Sequence, residues 1–173
     1  LSDFEGRPRG NPRTEWSLDP QKPIVLFVGR LSPEKNVSLF LSACERLASE
    51  VDAFQAVVVG EGPEGAGLPE MLRARPWLHW IPRAYRDRVL DLMFASSALA
   101  ICSSYEGLPT VLMEALGAGL PVVSTDVGRS REFLRDPTGF IVDADPRAFS
   151  DALQRILALD PAMLHRADPE VRK

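Results

Sequence analysis

The chain has 173 residues, which is enough for one domain with a sizeable buried core and too few for two ordinary domains. Hydrophobic residues make up 45% and charged residues 25% of the chain, a composition typical of a soluble globular protein that indicates neither disorder nor a fibrous repeat. The net charge of -4 arises from 20 basic and 24 acidic residues spread along the chain. Nucleic acid is therefore not expected as a partner, and any anion site must be local.

The placement of the cysteines and the length of the apolar runs indicate the cellular compartment of the chain. Cys44 falls in a helical pattern and Cys102 ends an apolar run, so the two do not form a disulfide framework and favour a reducing environment. No run reaches the roughly 20 apolar residues that span a bilayer, and the first residues lack the basic and apolar segments of a secretory signal. The sequence predicts a cytoplasmic chain.

The first half of the chain begins with a linker and continues with a strand and a helix. Residues 1–22 mix proline, glycine and charge without a period, as linker segments do. Ile24–Val28 is a continuous apolar run ended by Gly29, which predicts a parallel strand buried on both faces. From Val37 to Val51 apolar residues recur every three or four positions, which predicts a helix.

The same alternation continues to residue 160. Further strands are predicted at 56–59, 77–81, 98–102, 121–124 and 140–142, and further helices at 68–74, 86–96, 111–118 and around 149–157. We therefore predict one α/β domain over 23–160, a Rossmann-like, doubly wound parallel sheet of about six strands, followed by a polar tail at 161–173. Ligands of such sheets bind beyond the carboxyl ends of the strands. We therefore expect the ligand site in the loops that follow Val28, Val59, Ile81, Cys102 and Ser124.

The loop after the first strand, G-R-L-S-P-E-K-N, places Arg30 and Lys35 between a strand and a helix. An arginine offers a planar fork of donors and a lysine a mobile point charge, so together they can hold a diphosphate and neutralise it as it leaves. The alternative is a solvated loop in which Glu34 pairs with one of the two cations.

The loop after the fourth strand, S-S-Y-E-G-L-P-T-V-L-M-E, carries two carboxylates, Glu106 before a helix and Glu114 within it. Glu106 could face a ligand, or it could simply stabilise the helix N-terminus. Glu114 could be a surface charge, although its neighbours are apolar and a carboxylate in such a helix needs a partner.

The backbone between these carboxylates suits a phosphate. Gly107 permits close approach of a ligand, and the amides of Leu108, Thr110 and Val111 form the positive end of the predicted helix. Pro109 supplies no amide but tolerates a helix start. Thr110 could also cap the helix.

Other polar positions indicate no further chemistry. Asp143 and Asp145 precede Pro146 and predict a turn and a helix start rather than a metal pair. His79 and His165 are isolated and indicate neither a metal ligand nor a catalytic base. The glycine-rich stretch at 61–67 lacks the Lys-Ser/Thr of a P-loop, so we interpret it as a flexible edge of the cleft.

Three segments together resemble a known family: F-V-G-R-L-S-P-E-K-N, V-V-G-E-G-P and S-S-Y-E-G-L-P-T-V-L-M-E-A-L-G-A-G-L-P-V-V-S-T-D-V-G. They are similar to retaining GT-B glycosyltransferases of the group 1, or family 4, type. The resemblance runs from residue 24 to 159 and includes T-G-F-I-V-D at 138–143. It implies that the chain is one half of a GT-B fold, the C-terminal, donor-binding domain without its N-terminal partner.

The resemblance also implies roles for the site residues. Arg30 and Lys35 would hold the donor diphosphate, Glu106 would face the donor sugar, and Glu114 would bind the ribose hydroxyls. Arg83, after the third strand, is a weaker candidate for the nucleobase pocket. The implied catalytic residues are Glu106, Arg30 and Lys35, and the remaining contacts to the donor come from Gly29, Gly107, Leu108, Pro109 and Thr110.

The implied activity is transfer of a sugar from a UDP- or GDP-sugar to a sugar or lipid-linked acceptor, in surface polysaccharide or glycolipid synthesis. No metal or cofactor is expected, because side-chain cations serve the leaving group. The N-terminal domain would hold the acceptor and any contact with the inner membrane face, so the fragment alone should not transfer sugar. The alternatives are a non-catalytic nucleotide-sugar module and a GT-B epimerase or phosphorylase.

Three positions depart from the commoner family pattern and leave the sugar open. Cys102 stands where a proline is frequent, Pro109 replaces a frequent glycine, and Arg129 follows Gly128 where a second glycine is common. For Arg129, pairing with a surface glutamate is favoured over contact with the donor sugar.

Overall fold

The computed structural model describes residues 10–51, 53–107, 109–135 and 139–159. Its strands are β1 (Ile24–Val28), β2 (Gln55–Val59), β3 (Leu78–Ile81), β4 (Ala98–Ile101), β5 (Val122–Ser124) and β6 (Gly139–Ile141). Its α-helices are α1 (Pro12–Glu15), α2 (Val37–Glu50), α3 (Leu68–Ala74), α4 (Arg86–Ala95), α5 (Thr110–Gly117), α6 (Ser130–Phe133) and α7 (Pro146–Leu157). Short 3₁₀ turns lie at Pro33–Lys35 and Pro63–Gly65.

All six strands form one parallel sheet in the order β3-β2-β1-β4-β5-β6. The chain first builds outward from β1 to β3, then returns to the other side of β1 and builds outward again to β6. This is the doubly wound topology of Rossmann-like domains. The predicted fold class and strand number are confirmed.

The predicted elements are present, with ends that differ by at most three residues. The strand predicted at 98–102 ends at Ile101, and the last helix begins at Pro146, because Asp145 caps it. The helices α1 and α6 were not predicted, since four residues are too short to show a helical period. Local capping defines α1, in which the Asn11 side chain accepts hydrogen bonds from two helix amides.

The core has two layers, one on each face of the sheet. On one face α2 packs against α7, with Phe40, Leu47 and Phe149 fully buried. On the other face α4 and α5 cover the sheet with residues such as Leu92 and Leu112. Alternate residues of β1 point into the two layers, which explains why its sequence is a continuous apolar run.

Part of the predicted linker segment packs on the domain. The helix α1 contacts α4, and Leu18 is buried in the core layer between the sheet and helices α4 and α5. The Arg13 guanidinium donates hydrogen bonds to the carbonyls of Asp19, Lys22 and Ala95, and burial lowers the pKa of Arg13. These bonds fix residues 12–22 against the domain.

Both cysteines are free and buried, and burial raises the pKa of each thiol. The expectation that Cys44 and Cys102 form no disulfide is therefore confirmed. Among the helices of the described residues, none has the length and apolarity to cross a membrane.

Candidate functional site

The strand order reverses between β1 and β4, so the loops that leave these strands diverge. A crevice opens at such a switch point, beyond the carboxyl ends of the strands, and it is the usual ligand site of this topology. The residues predicted from the sequence follow β1, β3 and β4, so the topology places them all at this edge of the sheet.

The loops after β1 and β2 are joined through their backbones. The Gly29 amide donates to the Val59 carbonyl at 3.0 Å, the Leu31 amide to the Glu61 carbonyl at 2.9 Å, and the Glu64 amide to the Leu31 carbonyl at 2.9 Å.

A glycine is needed at position 60. Its φ is +134°, and an added Cβ would lie 1.9 Å from the Gly29 carbonyl oxygen. Residues of the 61–67 segment line an edge of the cleft, as predicted. The Leu31–Glu61 and Glu64–Leu31 backbone bonds hold this segment, which we expected to be flexible.

These loops and the one after β3 enclose a cleft of about 1340 Å³. Gly29, Arg30 and Arg83 line it, together with the aromatic residues Trp80 and Tyr85. The Trp80 indole donates to the Gly60 carbonyl at 2.8 Å, whereas Tyr85 is 85% exposed. The cleft therefore combines cations with aromatic faces, which suits a flat ring that carries an anionic group.

The two arginines of the cleft differ in their partners. Arg83 donates from Nε to the Glu61 carboxylate at 2.9 Å, and this hydrogen bond and charge raise the pKa of Arg83. Arg30 is exposed, and no carboxylate of the described residues forms an ion pair with it. Arg30 is therefore the cation that can accept an anionic ligand without first losing a partner.

Lys35 and Glu106 form an ion pair across the switch point. Their side chains are 28% and 13% exposed. The buried Ser103 hydroxyl donates to the same oxygen of Glu106, Oε1, at 2.8 Å. The two residues predicted from separate motifs are thus in direct contact, and Glu106 is held by two donors.

Glu34 forms no ion pair with Arg30 or Lys35, which was the alternative interpretation of the loop after β1. Its carboxylate accepts a hydrogen bond from the Ser32 hydroxyl at 2.7 Å, while Lys35 pairs with Glu106. The Ser32 hydrogen bond, followed by smaller contributions that include the charges of Arg30 and Lys35, lowers the pKa of Glu34. The interpretation of a loop neutralised by a Glu34 ion pair is therefore wrong.

The loop after β4 is held by both neighbouring loops. The Ser104 amide donates to the Glu34 carbonyl at 2.8 Å, and the Thr125 hydroxyl donates to the Ser103 carbonyl at 2.6 Å. Gly128 has a φ of +53°, and an added Cβ would lie 1.7 Å from the Gly107 carbonyl oxygen. The position of Glu106 thus depends on contacts from β1 and β5.

The helix α5 begins at Thr110, after the buried Pro109. The suggestion that Thr110 caps the helix is wrong, because Thr110 is the first helical residue and no side chain of the described residues caps this end. Around Gly107 there is open space, since an added Cβ would meet no atom within 4 Å. Leu108 lies outside the described residues.

Glu114 has the partner that its apolar helix requires. The Arg86 Nε donates to Glu114 Oε1 at 2.8 Å, and the side chains are 56% and 19% exposed respectively. Arg86 is the first residue of α4 and directly follows Tyr85 of the cleft wall. The pair therefore joins the cleft rim to α5.

The predicted site residues form three groups rather than one cluster. Arg30, Arg83 and Gly29 line the cleft, Lys35 and Glu106 bridge the switch point, and Glu114 lies on α5 with Arg86. Sequence reasoning assigned no role to three residues that position these groups: Ser103, Thr125 and Arg86. Ser103 lies two residues after β4 and Thr125 directly after β5, and this position at the carboxyl ends of strands could have drawn attention to them.

Asp145 and Arg129 take the roles predicted for them, whereas His165 lies outside the described residues. Asp145 caps α7 by accepting from the amides of Arg147 and Ala148, and Arg129 pairs with the exposed Glu132 at 2.9 Å. His79 lies within β3, where burial lowers the pKa of its ring. No three His, Cys, Asp or Glu side chains cluster as metal ligands in the described residues.

Comparison of the sequence with known proteins gives relatives of greater length. The D-inositol 3-phosphate glycosyltransferase of Rhodococcus jostii is 31% identical over 172 residues, which are 91% of this chain and 38% of that protein. The alpha-D-kanosaminyltransferase of Streptomyces kanamyceticus is 30% identical over 185 residues, 99% of this chain and 43% of that protein. The chain spans about two fifths of the length of these relatives.

Solved structures share the fold. The sucrose-phosphate synthase of Thermosynechococcus elongatus superposes with a TM-score of 0.75 at 25% identity, over 92% of this chain and 42% of that one. HepE of Anabaena, solved in complex with UDP, superposes with a TM-score of 0.76 at 18% identity, over 96% of this chain and 47% of that one. Residues 9–173 also match the family model described as glycosyl transferases group 1. The chain therefore belongs to the glycosyl transferases group 1 family, and the domain is a Rossmann-like half of a GT-B fold.

Proposed function

We propose that this domain binds a nucleoside-diphosphate sugar and that it is the donor-binding half of a retaining glycosyltransferase. The observation that carries the proposal is the position and pairing of the two cations in the loop after β1, at the switch point. There Arg30 lines the cleft without an ion-pair partner among the described residues, and Lys35 is within reach of Glu106. A cation open to the cleft beside a second, mobile cation suits the two phosphates of a diphosphate.

Lys35 has to change partners for this function. Lys35 pairs with Glu106, and a bound diphosphate would compete for its ammonium group. A lysine is suited to this exchange because its charge sits on a flexible stem and needs no fixed plane of donors. Glu106 keeps its hydrogen bond from Ser103, so its position would survive the exchange.

The other contacts follow from the walls of the cleft. Trp80 and Tyr85 offer aromatic faces and Arg83 lies beside them, which suits a nucleobase. Glu114 would accept hydrogen bonds from the ribose hydroxyls, because a carboxylate can accept two donors at once. The amides of Thr110 and Val111 at the start of α5 would face the phosphates.

In the full-length protein, the mechanism we propose is electrostatic. Arg30, Lys35 and the amides at the start of α5 would stabilise the charge on the departing diphosphate, while Glu106 would orient the donor sugar near an oxocarbenium-like centre. A second domain would supply the acceptor, and this domain alone would not transfer sugar. We propose that no metal takes part and that the protein acts in the cytoplasm, in surface polysaccharide or glycolipid synthesis.

The experiment is calorimetric titration of the chain with UDP-, GDP- and ADP-sugars and with the free nucleosides. HepE was solved with UDP, so uridine nucleotides are tested first. We expect one nucleotide series to bind and its nucleoside to bind far more weakly, since the diphosphate contacts would be lost. Equal affinity for nucleoside and nucleotide, or binding of neither, would contradict the proposal. Product analysis by NMR with the full-length protein then tests retention of the anomeric configuration.

A further inference from the structure

The carboxylate of Glu114 is the only ionisable side chain of α5, whose sequence is T-V-L-M-E-A-L-G. It is 19% exposed, and its Oε1 accepts a hydrogen bond from Arg86 Nε at 2.8 Å. A carboxylate on so apolar a helix has few local groups to fix its orientation. Arg86, 28 positions earlier in the chain, is the residue that holds it.

Arg86 is placed to connect two parts of the site. It is the first residue of α4 and follows Tyr85, which lines the cleft with Pro82 and Arg83. Its side chain reaches from this rim to Glu114 on α5. The bond uses the Nε of the guanidinium and one of the two carboxylate oxygens. The rim and the carboxylate are thereby coupled through a charge-assisted hydrogen bond.

We propose that Arg86 is a positioning residue for Glu114 and that it sets how strongly the domain prefers a nucleotide with an intact ribose diol. The inference rests on the proposed role of Glu114 as the ribose ligand. A carboxylate that is already oriented binds two hydroxyls without the cost of ordering its own side chain. Arg86 itself touches the carboxylate and leaves the diol to Glu114.

The placement separates this role from a direct phosphate contact. Arg30 and Lys35 follow β1, whereas Arg86 follows the β3 loop and bonds to a residue inside α5. Removal of Arg86 should therefore affect the part of the affinity that depends on the ribose hydroxyls. Removal of Arg30 should affect the part that depends on the diphosphate.

The test compares each nucleoside diphosphate that binds the chain with its 2′,3′-dideoxy counterpart, by calorimetry. For Arg86→Leu we expect the affinity for the ribonucleotide to fall about two- to tenfold and that for the dideoxynucleotide to stay unchanged. Arg86→Lys keeps a donor near Glu114 and should retain part of the preference. The double variant Glu114→Gln/Arg86→Leu should bind the ribonucleotide with the same affinity as Glu114→Gln alone.

Arg46→Leu is the matched control, because Arg46 forms a comparable exposed pair with Glu50 on α2, away from the cleft. It should bind both nucleotides like the unchanged chain. If Arg86→Leu does not fold, as judged by circular dichroism, Arg86→Lys and Arg86→Gln provide the same comparison.

Two outcomes would overturn the inference while the proposed function stands. One is an equal loss of affinity for the ribonucleotide and the dideoxynucleotide in Arg86→Leu. This result would mean that Arg86 contacts the base or the phosphates itself, or that it supports the fold. The other is an unchanged preference for the ribose diol. Failure of the unchanged chain to bind any nucleotide would overturn the proposed function, and the role of Arg86 with it.

Discussion

The two sides of the crevice are built in different ways. On the β1 to β3 side, backbone bonds and close glycine contacts shape the cleft, and its cation Arg30 has no ion-pair partner in the described part of the chain. On the β4 side a close glycine contact, Gly128 against Gly107, also holds the loop, but side-chain bonds hold the functional group, since Ser103 and Lys35 both donate to Glu106. The first side is a preformed surface for a ligand. On the second side, a ligand that binds Lys35 must first break its ion pair with Glu106.

This difference predicts which changes damage the fold and which damage only the chemistry. The exposed side chains of Arg30 and Arg83 can be removed without loss of packing, because the backbone shapes that wall. Replacement of the glycines at the close contacts should destabilise the fold, because an added Cβ would overlap a neighbouring carbonyl.

The largest effect on folding is expected for Gly128→Ala. The left-handed conformation costs a non-glycine residue roughly 1–2 kcal/mol, and the clash with the Gly107 carbonyl adds about 1–3 kcal/mol. The free energy of unfolding, measured in urea, should fall by the sum of these. Gly67→Ala is the control, because its Cβ would meet no atom within 4 Å. Equal stability of the two variants would show that the β5 loop does not depend on this contact.

The largest effect on catalysis is expected for Glu106→Gln in the full-length protein. One well-placed electrostatic group contributes about 10²–10³ in rate, so transfer should fall by that factor. Nucleoside diphosphate affinity should not fall, because Lys35 is released from its partner and can serve the phosphates. Initial rates and calorimetry measure the two effects. Weakened nucleotide binding with normal transfer would reverse the roles assigned to the two sides of the crevice.

A smaller effect is expected for the two cations, and they should differ. Arg30→Ala removes a charge-assisted contact that costs no existing ion pair, so diphosphate affinity should fall about tenfold to a hundredfold. Lys35→Ala should cost less, because the native lysine gives up its bond to Glu106 when it binds phosphate. Titration with nucleoside diphosphate and with nucleoside gives both values. The nucleoside should bind equally to both variants, and a larger loss for Lys35→Ala would contradict the exchange.

No effect is expected from removal of divalent metal. Arg30 and Lys35 supply the positive charge at the crevice, and no ligand cluster is found among the described residues. Donor affinity measured by calorimetry should therefore be the same with and without EDTA. Loss of binding on chelation, with recovery on addition of Mg²⁺ or Mn²⁺, would show that the two cations do not suffice.

Much of the fold could be predicted because the evidence for it is local. The apolar run of β1 and the three-to-four spacing of α2 each reflect a short stretch of chain packed against the sheet. The alternation of strands and helices then implied parallel crossovers and a site at the carboxyl ends of the strands. The short helices α1 and α6 lay outside this reasoning, since one turn shows no period.

The kinds of residues at the site, and the edge of the sheet that carries them, follow from the order of residues along the chain. Their partners depend on how the chain folds. Lys35 meets Glu106 across 71 positions of sequence, and Arg86 meets Glu114 across 28. Such pairings depend on how the sheet orders its strands and on the few ångströms between loops, which no local pattern encodes. The same physical reason left Arg30 open to the cleft while Lys35 and Glu114 each received a partner.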